Sequence, residues 1–245
     1  MGTGPINFNF SMKNSNSKSF SFRSFGKAGN PVIFLYTAFR TRYWLYYPTI
    51  RKLVKEGYYV VVYDFNPTLV FKGEVSDLLN LANDILKNTK NQVEEFKKDG
   101  VKKFFAFGVS MGTIMGLRAA IEIPEIKKVV VNLTYGSLAD TIWTQKVLGK
   151  IKKRFQKSGI TKEKLELLLE PISPLSMARK LKGKKVLLYL SKKDKVILFS
   201  QSSEFKKALE EAKVDYVYRE NQKFGHIISG FLNNARARTY LDFLK

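Results

Sequence analysis

Five consecutive residues, Gly108-Val109-Ser110-Met111-Gly112, bring a serine between two glycines. The pattern G-x-S-x-G suits a sharp strand-to-helix turn, because only small neighbours let the chain bend tightly enough to present the hydroxyl. The flanks agree: the apolar run FFAFGV precedes the serine and the helical pattern TIMGLRAAI follows it. A hydroxyl is a weak nucleophile until an adjacent base takes its proton. An imidazole does this near neutral pH, and the chain has a single histidine, His226, in Phe224-Gly225-His226-Ile227-Ile228. A carboxylate is then needed to hold the ring in one tautomer. Asp194 follows a buried strand in the run Ser191-Lys192-Lys193-Asp194, and groups that do chemistry in open parallel sheets sit past the carboxyl ends of strands. Asp140 also follows a strand and is the runner-up. Asp64 does too, but it precedes the serine, against the chain order serine, acid, histidine.

These residues need a scaffold, and the remaining pattern is an alternation of apolar runs with helical segments, the signature of βαβ units and a parallel sheet. The apolar runs 31–36, Tyr58–Tyr63, Phe104–Val109, Lys128–Leu133 and Lys185–Leu190 read as buried strands, and Asp215–Arg219 as another. Helices are expected over Tyr47–Glu56, Ser76–Lys98 (capped by Ser76 and stopped by Gly100), Thr113–Ile121 and Asn233–Leu244. Ahead of them, Phe8–Phe10 and Phe20–Phe22–Phe25 alternate on either side of a polar tract and predict an N-terminal β-hairpin. The strand pattern stops over 134–184, too long for a simple crossover. Helical patterns at Thr141–Gln156 and Lys162–Glu170 make it an inserted lid in an otherwise single domain, 1–245.

The 245 residues are 44% hydrophobic, enough for a sizeable core and against wholesale disorder. The absence of cysteine and the lone histidine exclude disulfide scaffolds, thiolate or multi-histidine metal sites and a cysteine nucleophile; no metal or cofactor is expected. Lys and Arg number 43 against 21 Asp and Glu, a net charge of +22. Most of these cations are dispersed lysines, which reads as a solvated surface; nucleic acid, with only net charge behind it, is not an expected partner. In the lid, Ile142, Trp143, Val147, Leu148, Ile151 and Phe155 share one helical face among lysines. Such a helix covers an apolar pocket, or rests transiently on an anionic membrane. A second basic run, RKLKGKK from Arg179, is a solvated loop or a phosphate contact. No apolar stretch approaches the roughly 18–20 residues of a membrane span, and the first twenty residues lack the pattern of a secretory leader. The expected location is the cytoplasm.

The order strand–GVSMG–helix, helical insertion, strand–SKKD and FGH resembles the α/β-hydrolase superfamily, from about residue 30 onward. That resemblance implies an α/β fold with a mostly parallel central sheet flanked by helices. It implies Ser110 as nucleophile, His226 as its base and Asp194 as the carboxylate that orients the ring. The oxyanion would be met by the backbone N–H groups of Met111 and Ala38; many members carry His-Gly where Tyr36-Thr37 stand here. Tyr36, Thr37, Phe39 and Trp143 are expected along the substrate. Relatives that attack haloalkanes or epoxides use aspartate at this turn, so serine points to a small-molecule carboxylic ester or thioester, with an apolar acyl chain. Two other readings use the same fold: an acyltransferase with the same three residues, and a non-catalytic binding protein.

Overall fold

A computed structural model describes residues 19–39, 41–66, 74–235 and 237–245. Its seven strands are β1 (Phe20–Phe25), β2 (Val32–Tyr36), β3 (Tyr59–Phe65), β4 (Phe104–Val109), β5 (Ile126–Asn132), β6 (Lys185–Ser191) and β7 (Asp215–Asn221). They form one sheet in the order β1-β3-β2-β4-β5-β6-β7, parallel except for β1, which runs antiparallel to β3. The central strands are continuous apolar runs because both faces are covered. Phe34 and Tyr36 of β2 belong to one buried cluster and Ile33 and Leu35 to the other.

Among the described residues, ten α-helices cover the sheet and build the 134–184 insertion, the expected lid: α1 (Tyr47–Lys55), α2 (Val75–Lys98), α3 (Gly112–Glu122), α4 (Leu138–Thr144), α5 (Gly149–Lys157), α6 (Lys162–Leu169), α7 (Pro174–Ala178), α8 (Phe199–Glu211), α9 (His226–Ala235) and α10 (Ala237–Leu244). The larger cluster packs α2, α3 and the lid helices on one face; α1 and α10 pack Ile50, Leu53, Tyr240 and Leu244 on the other. None of the described helices is long and apolar enough to cross a membrane.

The differences from the sequence reading have local causes. α2 begins earlier than Ser76, because Asp77 reaches back to the Glu74 N–H at 2.6 Å and makes Glu74 the cap. The expected helix 141–156 is two helices: Gln145 turns extended at ψ 123°, and the chain restarts at Gly149. The expected helix 233–244 falls on two: α9, which already starts at His226, and α10, from Ala237. β1 pairs with β3; the other arm of the expected hairpin, Phe8–Phe10, lies outside the described residues. The basic run from Arg179 leads into the amino end of β6, whereas Ser191 and Asp194 lie at its carboxyl end. Seven residues of strand separate the two, roughly 23 Å, so this run is remote from the serine.

Candidate active site

The serine turn is built by close packing. Ser110 has a left-handed backbone, φ 51°, which costs free energy for a residue with a Cβ and persists only where its surroundings hold it. Three bonds do so. Its N–H donates to the Asn132 carbonyl at 2.8 Å, and its own carbonyl accepts from the Thr113 N–H at 2.9 Å and the Thr113 hydroxyl at 2.6 Å. The flanking glycines are steric necessities. A Cβ on Gly108 would fall 2.5 Å from the Thr113 Cα, and one on Gly112 would run into the carbonyl oxygens of Tyr36 and Thr37. The serine thus stands at the turn from β4 into α3, beyond the carboxyl end of its strand.

Asp194 and His226 arrive from β6 and β7. Asp194 is buried, and its Oδ1 accepts the backbone N–H groups of Val196 and Ile197, both at 2.8 Å. That leaves Oδ2 for His226 Nδ1, at 2.6 Å. A carboxylate can only accept, so Nδ1 carries the proton and Nε2 presents its lone pair to Ser110 Oγ, 3.1 Å away. The turn before His226 is clamped from both sides: the Phe224 carbonyl accepts the hydroxyls of Ser191 at 2.5 Å and Ser229 at 2.9 Å. Asn221 Oδ1 accepts the N–H groups of Lys223 and Phe224. A buried asparagine joins the two halves. Asn132, whose carbonyl holds Ser110, donates its side-chain amide to Asn234 Oδ1 at 2.9 Å and accepts from Asn233 at 2.9 Å. Both partners lie on α9, the helix that His226 begins.

The oxyanion side differs from expectation. No bond takes up the Met111 N–H among the described residues, and it stands at the N-terminus of α3, where the helix dipole favours negative charge. The Ala38 N–H, by contrast, is already donated to the Tyr46 hydroxyl at 2.8 Å. Thr41 sits 3.0 Å from the same hydroxyl and gives its one proton to the Ala38 carbonyl at 2.6 Å, so at the Tyr46–Thr41 contact the tyrosine donates. Burial pushes the Tyr46 pKa up, which keeps it a protonated donor. Sequence reasoning passed over Tyr46, since a bond from a hydroxyl back to an amide eight residues earlier leaves no pattern in the chain.

Beside Ser110 and His226 opens a cavity of about 730 Å³, within the usual range for small-molecule sites. Its walls are mainly aliphatic and aromatic: Phe39, Leu78 and Leu133 from the core, Ile142, Val147, Leu148 and Ile151 from the lid, Ile227 and Phe231 from α9. Lys150 is the one lysine among them. Of the four residues expected along the substrate, only Phe39 lines it. Tyr36 lies on the opposite side of the turn, its hydroxyl 3.1 Å from Thr89 in α2, and Thr37 donates to the Tyr63 carbonyl at 3.0 Å; both are fully buried. Trp143 turns away from the cavity and carries the Lys152 ammonium 5.2 Å above its ring. Asp140, the runner-up acid, pairs with Lys162 of α6 at 2.6 Å and accepts from the Gln201 side chain of α8 at 2.5 Å. Asp64 accepts the Tyr43 N–H and makes no bond to His226 among the described residues.

The model of the prolyl oligopeptidase family matches residues 76–245. Among solved structures, acylaminoacyl peptidase from Pyrococcus horikoshii superposes with a TM-score of 0.69 at 18% identity, over 91% of this chain and 39% of that one. A Paenibacillus acetyl xylan esterase gives 0.71 at 14% identity, over 97% and 87%. An esterase of Pyrococcus furiosus gives 0.64 at 19%, over 96% and 91%. At such identities the likeness is one of fold. The chain spans about two fifths of the length of the acylaminoacyl peptidase, and no curated protein matches it in sequence.

Proposed function

The chain belongs to the prolyl oligopeptidase family, a branch of the α/β-hydrolases, and from that membership we propose that it is a serine hydrolase cleaving a carboxylic ester or thioester of an apolar acyl group. The observation that carries the substrate class is the cavity wall. The site beside Ser110 offers an acyl chain a lining of Leu, Ile, Val and Phe, and no carboxylate among the described residues lines it to receive an amine. Burying an apolar chain there is favourable by roughly 0.8 kcal/mol per methylene.

In this reading Ser110 Oγ attacks the acyl carbon as its proton passes to His226 Nε2. The imidazolium is held by Asp194, and the leaving alcohol or thiol departs with the proton. Water, deprotonated by the same imidazole, then releases the acid from the acyl-serine. Capture by an added alcohol in place of water is the signature of the acyltransferase alternative. The test is hydrolysis of p-nitrophenyl esters from acetyl to palmitoyl, with matched thioesters beside them. Medium or long chains are expected to exceed acetyl in kcat/KM by about tenfold or more. Preference for acetyl would overturn the apolar acyl assignment, and inertness toward every ester and thioester would overturn the hydrolase reading.

The Met111 N–H is one oxyanion donor in this mechanism. The second is the Tyr46 hydroxyl, because a hydroxyl redirects its proton by one bond rotation and the Ala38 amide cannot. Tyr46→Phe is therefore expected to lower kcat about 10²-fold with little change in KM. If kcat holds or rises, the freed Ala38 amide is the donor.

A further inference from the structure

The first helix beyond the site is inside out. α9 buries Ser229, Gly230, Asn233 and Asn234, while Ile227, Ile228 and Phe231 stand 68%, 53% and 47% exposed. A surface helix ordinarily does the reverse. The inward face is accounted for by the asparagine contacts with Asn132; the outward one has no counterpart among the described residues. Ile227 and Phe231 are exposed and line the cavity, as does the exposed Val147, so these three lie at its mouth. Phe224, also exposed, continues the patch.

The unpaired charges on the loops beside this patch are lysines, and the nearby Glu220 is paired with Lys192 at 3.2 Å. Lys150 lines the mouth, Lys193 and Lys195 flank Asp194, and Lys223 precedes Phe224. All four are exposed and make no ion pair among the described residues. The loops 191–198 and 221–228 contain one acid, Asp194, and it is buried against His226. An apolar centre ringed by unpaired lysines complements an anionic bilayer, which offers acyl chains beneath negative headgroups. A second copy of the chain would set lysines against lysines.

We propose that the mouth of the cavity docks on an anionic lipid surface, with Ile227, Ile228 and Phe231 entering the acyl boundary and Lys150, Lys193, Lys195 and Lys223 meeting the headgroups. The docking stands on the surface alone; its use, passing an acyl chain into the cavity without crossing water, rests on the ester-hydrolase reading. The experiment is co-sedimentation with equimolar phosphatidylcholine–phosphatidylglycerol vesicles and with phosphatidylcholine alone. Hydrolysis of soluble p-nitrophenyl butyrate is followed in parallel. Wild type and Ser110→Ala are expected to bind the anionic vesicles and leave the neutral ones. Ile228→Ser and Lys223→Glu, neither in the cavity wall, should each lower the partition coefficient about tenfold and leave butyrate hydrolysis unchanged. Absence of binding overturns the proposal, as does binding that neither variant weakens. A dimer in lipid-free solution that Ile228→Ser dissolves overturns it in favour of self-pairing. Loss of all ester hydrolysis with vesicle binding intact would sink the hydrolase reading and leave the docking face standing.

Discussion

Ser110→Ala is expected to lower kcat/KM for p-nitrophenyl butyrate by about 10⁵- to 10⁶-fold, the scale seen when a serine nucleophile is removed. The substitution deletes one atom, Oγ, and the bond it makes to His226 Nε2. It leaves the backbone bonds that hold the left-handed turn, through Asn132 and Thr113. Alanine keeps the same Cβ at φ 51°, so no new strain arises and the fold should persist. A fluorophosphonate probe should label wild type at Ser110 and leave the variant untouched. Residual activity above about a thousandth of wild type in a folded variant would place the nucleophile elsewhere.

The second large effect is expected from Asp194→Asn, about 10⁴-fold in kcat. The cause is orientation. Two backbone N–H groups, from Val196 and Ile197, point at Oδ1. An asparagine must set its amide oxygen there, which turns its NH₂ toward His226 Nδ1. That nitrogen then has to accept, the ring proton moves to Nε2, and the atom facing Ser110 becomes a donor unable to take the serine proton. Asp194→Ala lacks this inversion and lets the ring choose its tautomer, so it should be less harmful than the near-isosteric asparagine. If asparagine proves harmless, Asp194 does not orient the histidine. Both variants should be compared at matched Tm, since Asp194 also anchors its loop.

Much of this architecture was legible because it is written in residue type. Glycines at 108 and 112 admit a serine turn, and a lone histidine after the last strand leaves little choice for a base. The carboxyl ends of β4, β6 and β7 bring Ser110, Asp194 and His226 to one edge, in the chain order expected. What failed was sidedness. Tyr36 and Thr37 border the right loop, but the pleat sends Tyr36 toward Thr89 and the layer under α2. Trp143 shares a helical sequence pattern with Ile142 and Ile151, yet Ile142 lines the cavity and its neighbour, about 100° further round α4, ends beside Lys152. Hydrophobicity says that a side chain seeks cover, without saying which cover. The oxyanion loop failed differently: a free amide at Ala38 and one bonded to Tyr46 are spelled by the same residues. The inverted pattern of α9 was passed over, because the expected helix began at Asn233 and left Ile227, Ile228 and Phe231 outside it.

The double grip of Asn132 divides the site into parts that can vary separately. The serine turn and the histidine helix share one buried asparagine, whereas the 134–184 insertion meets the site along the cavity wall, mainly through Ile142, Val147, Leu148 and Ile151. Substitutions there would reshape the cavity side chain by side chain without touching the contacts among Ser110, Asp194 and His226. The asparagines have no such latitude. A lineage carrying this chain would be free to change its diet and bound to keep its teeth.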